Sequence, residues 1–170
     1  MSHLQYYAYE GVGTTNRAKF SYSQAVRVGD RIECAGQGTS RTTFREKAKL
    51  ASPPSLHFPP SVTHIDTDEP AGGWDPKTGE FEREINKQID LAFENVERCL
   101  RDAGGKGWSQ VFRVNSYHVP INDEALAAMV RNMRKWMPDH QPLWTCVGVS
   151  RLGEDDMRVE VEVVAHDPKN

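Results

Sequence analysis

The chain has 170 residues, with 21 Lys+Arg against 24 Asp+Glu for a net charge of −3. That length supports one domain whose core needs neither metal nor disulfide, and the balanced charge speaks against a nucleic-acid binder that works by bulk charge. No apolar run approaches the ~20 residues of a membrane span, and Cys34, Cys99 and Cys146 form an odd, scattered set with no C-x-x-C, which excludes a zinc ribbon and a paired-disulfide scaffold.

The N-terminal stretch Met1-Ser2-His3-Leu4-Gln5-Tyr6-Tyr7 lacks the apolar centre of a secretory signal, so a cytoplasmic protein with reduced thiols is expected. Gly11-Val12-Gly13 follows no predicted strand and opens no predicted helix, which argues against a phosphate loop. Residues 22–28 and 31–36 are strand-like, and Gly29-Asp30 joins them as a tight hairpin. Residues 39–71 hold five of the ten prolines and show no period, so a loop insertion is expected within a single domain spanning 1–170. His57, His64, Asp66 and Asp68 fall inside it and read as solvated loop residues rather than metal ligands.

The clearest helix runs over 84–103, where Ile85, Ile89, Phe93, Val96, Cys99 and Leu100 form one stripe and Gly104-Gly105 supplies the stop. A strand follows at 110–118. A second helix over 123–137 carries Leu126, Met129, Val130, Met133, Trp136 and Met137 on one face, capped by Asn122 or Asp123 and stopped by Pro138. This stripe reads as core. Strands at 143–150 and 157–165 close the chain. The order β-β-α-β-α-β-β predicts an α+β fold, one mixed sheet with both helices on one face.

Alternation divides the strands into faces. Phe112, Val114, Val147, Val149, Val159, Val161 and Val163 are expected to face the helices. The opposite face then holds Arg113, Asn115 and Tyr117, with Trp144, Cys146 and Gly148 from the next strand and Arg158, Glu160 and Glu162 from the last. Aromatic and charged groups mixed on one sheet face point to a partner subunit, with clefts where the polar groups converge. Taken singly, His118 reads as a structural histidine, and Cys146 as a small interface filler rather than a nucleophile.

Tyr22-Ser23-Gln24-Ala25-Val26, Gly36-Gln37, Gly73-Trp74-Asp75-Pro76-Lys77-Thr78-Gly79-Glu80-Phe81 and the helix pattern Gln88-x6-Asn95-x4-Leu100 together resemble the Rid/YjgF family of imine deaminases. So do Pro142-Leu143-Trp144-Thr145-Cys146-Val147 and Val159-Glu160-Val161-Glu162-Val163-Val164-Ala165. The likeness is to the fungal branch formerly labelled L-PSP endoribonuclease, and it covers roughly 20–38 and 72–166. The resemblance implies a chorismate-mutase-like subunit in a cytoplasmic homotrimer, with small-molecule clefts between subunits and no metal or cofactor. It implies Glu160 as the catalytic group, with Tyr22, Gly36, Trp144 and Cys146 as ligand-site positions; Arg113 shares the same sheet face. Members of the family hydrolyse reactive enamines and imines to a keto acid and ammonia.

The chain departs from this pattern at Trp144, where active deaminases carry the arginine that grips the substrate carboxylate, and at Val130, where they often carry asparagine. An indole offers one N–H and no charge, whereas a guanidinium offers a planar pair of donors. Two readings follow: an imine hydrolase of altered preference, and a non-catalytic or regulatory small-molecule-binding trimer. A ribonuclease is disfavoured by the near-neutral charge and the lack of a histidine pair. The register is expected to point residue 144 into the cleft beside Glu160.

Overall fold

Among the described residues, six strands and three α-helices follow as β1 (Gln5–Tyr7), α1 (Val12–Phe20), β2 (Ala25–Val28), β3 (Arg31–Gly38), α2 (Ile85–Asp102), β4 (Val111–His118), α3 (Asp123–Trp136), β5 (Leu143–Gly148) and β6 (Val159–His166). The structure, a computed structural model, describes residues 2–38 and 82–168. The expected insertion at 39–71, its histidines and aspartates, and the motif from Gly73 to Phe81 lie outside the described residues.

The helices form where their stripes and caps demand. Glu84 caps α2, its carboxylate accepting from the backbone N–H groups of Asn86 at 2.8 Å and Lys87 at 2.9 Å. Gly104, at φ 77°, takes the left-handed step after the helix that a side chain would resist. Asn122 caps α3 by accepting from the Ala125 N–H at 2.9 Å, and Asp123 and Glu124 occupy the first turn, favoured by the helix dipole. Of the expected stripe, Met129 and Met137 are buried and Met133 and Trp136 pack against the core, while Ala125, Ala128 and Asn132 take the inner places expected for Leu126 and Val130.

The sheet runs β1-β2-β3-β6-β4-β5, with β4 and β5 parallel and every other pair antiparallel. The expected hairpin is present: Val28 pairs with Arg31 across Gly29-Asp30. The link β4-α3-β5 is the crossover that a parallel pair requires. One face of the sheet, through Ile32, Val114, Val159, Val161, Val163 and Ala165, packs against Ile89, Phe93, Val96 and Leu100 of α2 and against Met129 of α3. Trp108 stacks on Phe93 with centroids 4.4 Å apart and donates its indole N–H to the Phe93 carbonyl at 3.0 Å. The α+β architecture and the α2–α3 side of the sheet are therefore as expected. No helix among the described residues is long and apolar enough to cross a membrane.

Three details differ from the sequence reading. A short strand and a helix precede the first predicted strand, so Gly11-Val12-Gly13 does follow β1 and open α1. That helix start is already engaged: the Thr14 N–H donates to the Tyr9 carbonyl and the Thr15 N–H to the Gly11 carbonyl, both at 3.0 Å. In β4 a register shift between Val111 and Arg113 turns Phe112 outward to 37% exposure, although strict alternation puts it in the core. In β5 the faces are the reverse of those expected. Trp144 pairs with Val114 and Cys146 with Ser116, so both lie on the helix side, while Leu143 and Val147 face outward at 64% and 41% exposure. Alternation fixes the period of a strand but not its phase, and the run Leu143 to Val149 is apolar on both faces.

Candidate functional site

The site grows from an irregularity in β3. Cys34 pairs with Val163 and Gln37 with Val161, so Ala35 and Gly36 together oppose Glu162 in a bulge. A bulge bends its strand and re-aims side chains. Here the Glu160 side chain lies directly over Gly36; a Cβ at that position would collide with the Glu160 carboxyl. A larger residue at 36 would displace the Glu160 side chain from this position, whereas the backbone angles there do not call for glycine.

Around this point a cavity of about 490 Å³ opens, walled by Tyr9, Phe20, Tyr22, Met157 and Glu160 and floored by the bulge. That volume lies within the usual range for small-ligand sites. A buried chain of hydrogen bonds holds one side of it. The Tyr9 hydroxyl donates to Gln37 Oε1 at 3.3 Å, Gln37 Nε2 donates to Gln24 Oε1 at 2.8 Å, and Gln24 Nε2 donates to the Tyr22 hydroxyl oxygen at 3.2 Å. Asn16 Nδ2 donates to the same oxygen at 3.1 Å. Burial, above all, drives the Tyr9 pKa upward, so the chain starts from a protonated phenol. Tyr22 accepts twice and retains its own O–H for a further acceptor.

Two side chains from the predicted motif helix fix the frame. Asn95 Nδ2 donates to the Gly38 carbonyl at 3.1 Å, holding the end of β3 beside the cavity. Gln88 donates to the carbonyls of Glu82 and Asp156 at 2.7 and 2.9 Å, and accepts the Arg158 N–H at 2.9 Å, fixing the entry to β6 two residues before Glu160. Val130 does not line the cavity; Asn95 does.

The Glu160 carboxyl is held above its ordinary pKa, first by burial and then by the neighbouring Glu162 carboxylate. Tyr117, paired with Glu160 across β4 and β6, donates its hydroxyl to Glu162 Oε2 at 3.1 Å. Burial and that hydrogen bond raise its pKa. A carboxyl partly withdrawn from water and poised above its usual pKa can take a proton from water more readily than an ordinary glutamate.

Tyr22, Gly36 and Glu160 therefore meet in one cavity, while Arg113, Trp144 and Cys146 do not join them within a subunit. Arg113 is on the same sheet face as Glu160 but four residues along β4 from Tyr117, about 13 Å at the usual rise. Trp144 is on the other face of the sheet, packed against the core, with its indole N–H donating to Ser116 Oγ at 2.9 Å. Ser116 Oγ is also 3.0 Å from His118 Nε2. His118 is fully buried, and its pKa is lowered by burial.

Sequence reasoning missed Tyr9, Asn16 and Phe20. All three come from β1, α1 and the turn between them, which lack a sustained stripe. Gln24 and Gln37 lay within quoted motifs, but nothing in the spacing said that their amides join.

A model of the family described as Endoribonuclease L-PSP matches residues 52–167. No curated protein matches the chain. Among solved structures, Rv2704 of Mycobacterium tuberculosis, a YjgF/YER057c/UK114 family member, superposes with a TM-score of 0.62 at 16% identity over 96% of this chain and 98% of that one. Yeast Mmf1 gives 0.59 at 17% over 96% and 98%. TdcF of E. coli, solved with bound serine, gives 0.56 at 20% over 85% and 87%. At these identities the likeness is one of fold.

Proposed function

Because the chain belongs to the Endoribonuclease L-PSP family, the YjgF group, we propose that it hydrolyses reactive imines and enamines to a carbonyl compound and ammonia, with a substrate preference altered by Trp144. The observation that carries this reading is the Glu160 carboxyl, raised in pKa and laid over Gly36 in a cavity whose opposite wall presents the Tyr22 hydroxyl.

The chemistry asks little of the protein. Water adds to the iminium carbon while Glu160 takes one of its protons and the C=N electron pair moves to nitrogen, giving a neutral carbinolamine. Glu160 returns that proton to the amine, the C–N bond breaks as the hydroxyl oxygen closes a C=O bond, and the hydroxyl proton leaves with ammonia. In sum, one iminium ion and one water give one carbonyl compound and one ammonium ion, with Glu160 restored to its starting state. A carboxyl that serves as base and then as acid works best with a pKa nearer neutrality than the free value, the direction in which Glu160 is moved. The Tyr22 O–H can orient the water or the developing hydroxyl.

The assembly is part of the proposal. The outward sheet face carries Leu143, Val147 and Phe112 beside Tyr117 and Arg113, and β5 is an edge strand of the sheet formed by the described residues. A cytoplasmic homotrimer that packs these faces together would bury them, and Trp144 and Cys146, on the helix side, would reach a neighbouring cleft only across the β5 edge. A second reading, a regulatory trimer that binds a small molecule without turnover, is favoured by one observation: among the described residues no cation lines the cavity to anchor a carboxylate. Ammonia release from imines generated in place by an amine or amino-acid oxidase separates the two. The hydrolase gives release that Glu160→Gln abolishes; the binding protein gives none.

A further inference from the structure

The charge around the cavity is one-sided. Its walls carry the carboxyl groups of Glu154 and Glu160, and among the described residues no lysine, arginine or histidine lines it. A shallower groove of about 570 Å³ shares Tyr22, Ala35 and Gly36 with it and adds Glu33 and Glu162, again with no basic side chain among the described residues. Four carboxyls thus converge on one saddle. Two described cations sit against the aromatic walls: Lys19 is 4.8 Å over the Phe20 ring and Arg98 5.6 Å over the Tyr9 ring.

We propose that the site selects organic cations with an apolar body, iminium or ammonium groups free of a carboxylate, and excludes anionic imino acids. A cation placed between Glu160 and the Tyr9, Phe20 and Tyr22 rings gains from both the carboxyl and the ring faces, which attract positive charge. A carboxylate in the same place meets Glu154 and Glu160 in a partly desolvated setting, where like-charge repulsion is weakly screened. Met157 and Phe20 supply apolar wall for the body of the ligand, and the Tyr22 O–H remains for a neutral acceptor. The assignment rests on the hydrolase reading for its substrate, because a protonated imine is such a cation, but the charge preference itself concerns binding alone.

The test is calorimetric titration of the full-length protein at pH 7.5 and low salt with three probes of one shape: 2-phenylethylammonium, 3-phenylpropionate and 2-phenylethanol. The cation should bind at least tenfold more tightly than the anion, with the alcohol between them. Glu160→Gln should remove most of that preference while leaving the affinity for the alcohol within about twofold. Glu154→Gln, farther from the bulge, should reduce the preference in the same direction and serves if the first variant misfolds. Equal or tighter binding of 3-phenylpropionate, or no binding of any probe, overturns the proposal. Cation preference without ammonia release from any imine would keep it and remove the hydrolase instead; ammonia release confined to anionic imino acids would do the reverse.

Discussion

The Trp144 indole N–H donates to Ser116 Oγ at 2.9 Å on the face of the sheet opposite Glu160. Ser116 is fully buried, and its hydroxyl is also within reach of His118 Nε2. Ser116→Ala therefore removes a partner from the buried His118 ring and from the partly buried Trp144 indole. An unmet buried donor costs about 1–3 kcal/mol, and in a domain of this size each 1 kcal/mol lowers Tm by roughly 2–4 °C. Thermal unfolding of the variant should show a drop of at least that order; an unchanged Tm would mean that the Trp144–Ser116 bond contributes nothing.

The same relationship changes what Trp144→Arg can do. The expectation that residue 144 enters the cleft beside Glu160 of its own subunit does not hold, because the two side chains leave opposite faces. An arginine at 144 gains activity on anionic imino acids only if a neighbouring subunit's β5 reaches the cleft. Wild type should sediment at about three chain masses, and Trp144→Arg should gain imino-acid turnover in that assembly, with a lower Tm from the lost Ser116 bond. A wild-type protein that sediments as a monomer, or a trimeric variant with no gain, would contradict the assembly.

Glu160 makes a pH prediction with a definite sign. Its folded pKa is raised above its unfolded value, so the native state binds more protons in the window between the two. The contribution to stability is fully present below the unfolded value and is lost as pH rises through the folded one. Glu160→Gln removes that loss. Its Tm should exceed that of wild type at pH 7, and the difference should shrink toward zero below about pH 4, where the wild-type carboxyl is neutral too. A difference constant across this range, or a variant less stable than wild type at pH 7, would contradict the burial argument.

Gly36→Ala tests the bulge. The new Cβ would occupy the space of the Glu160 carboxyl, which must swing away. A displacement of about 1 Å at a catalytic group commonly costs about 100-fold in rate. Loss of ammonia release on that scale is expected, with circular dichroism like that of wild type. Full activity in a folded Gly36→Ala protein would remove Glu160 from its catalytic role.

Much of this was legible in the sequence because it depends on period. The stripe from Ile85 to Leu100, the caps at Asn122 and Gly104, and the two-residue turn at Gly29-Asp30 are local signals that packing had no reason to override. The faces of β5 were not legible: Leu143, Trp144, Cys146, Val147 and Val149 satisfy either phase, and only pairing with Val114 and Ser116 decides between them. Phe112 was misplaced by a bulge, which inserts a residue without any mark in composition. Helix α1 was missed because Gly13, Thr14 and Thr15 are poor helix formers and its buried residues are Gly13 and Asn16 rather than an apolar stripe. Tyr22, Gly36 and Glu160 line one cavity, and the amide relay through Gln24 and Gln37 depends on a bulge that neither motif encodes.

Under the proposed function, Glu160 drives hydrolysis of imines that carry no carboxylate. This role is tested most directly by measuring ammonia release from an imine generated in place by an amine oxidase, beside an imino acid generated by an amino-acid oxidase. Wild type should accelerate the first well above the uncatalysed rate and the second far less, and Glu160→Gln should return the first to background. Equal rates for wild type and Glu160→Gln on the amine-derived imine would contradict the account.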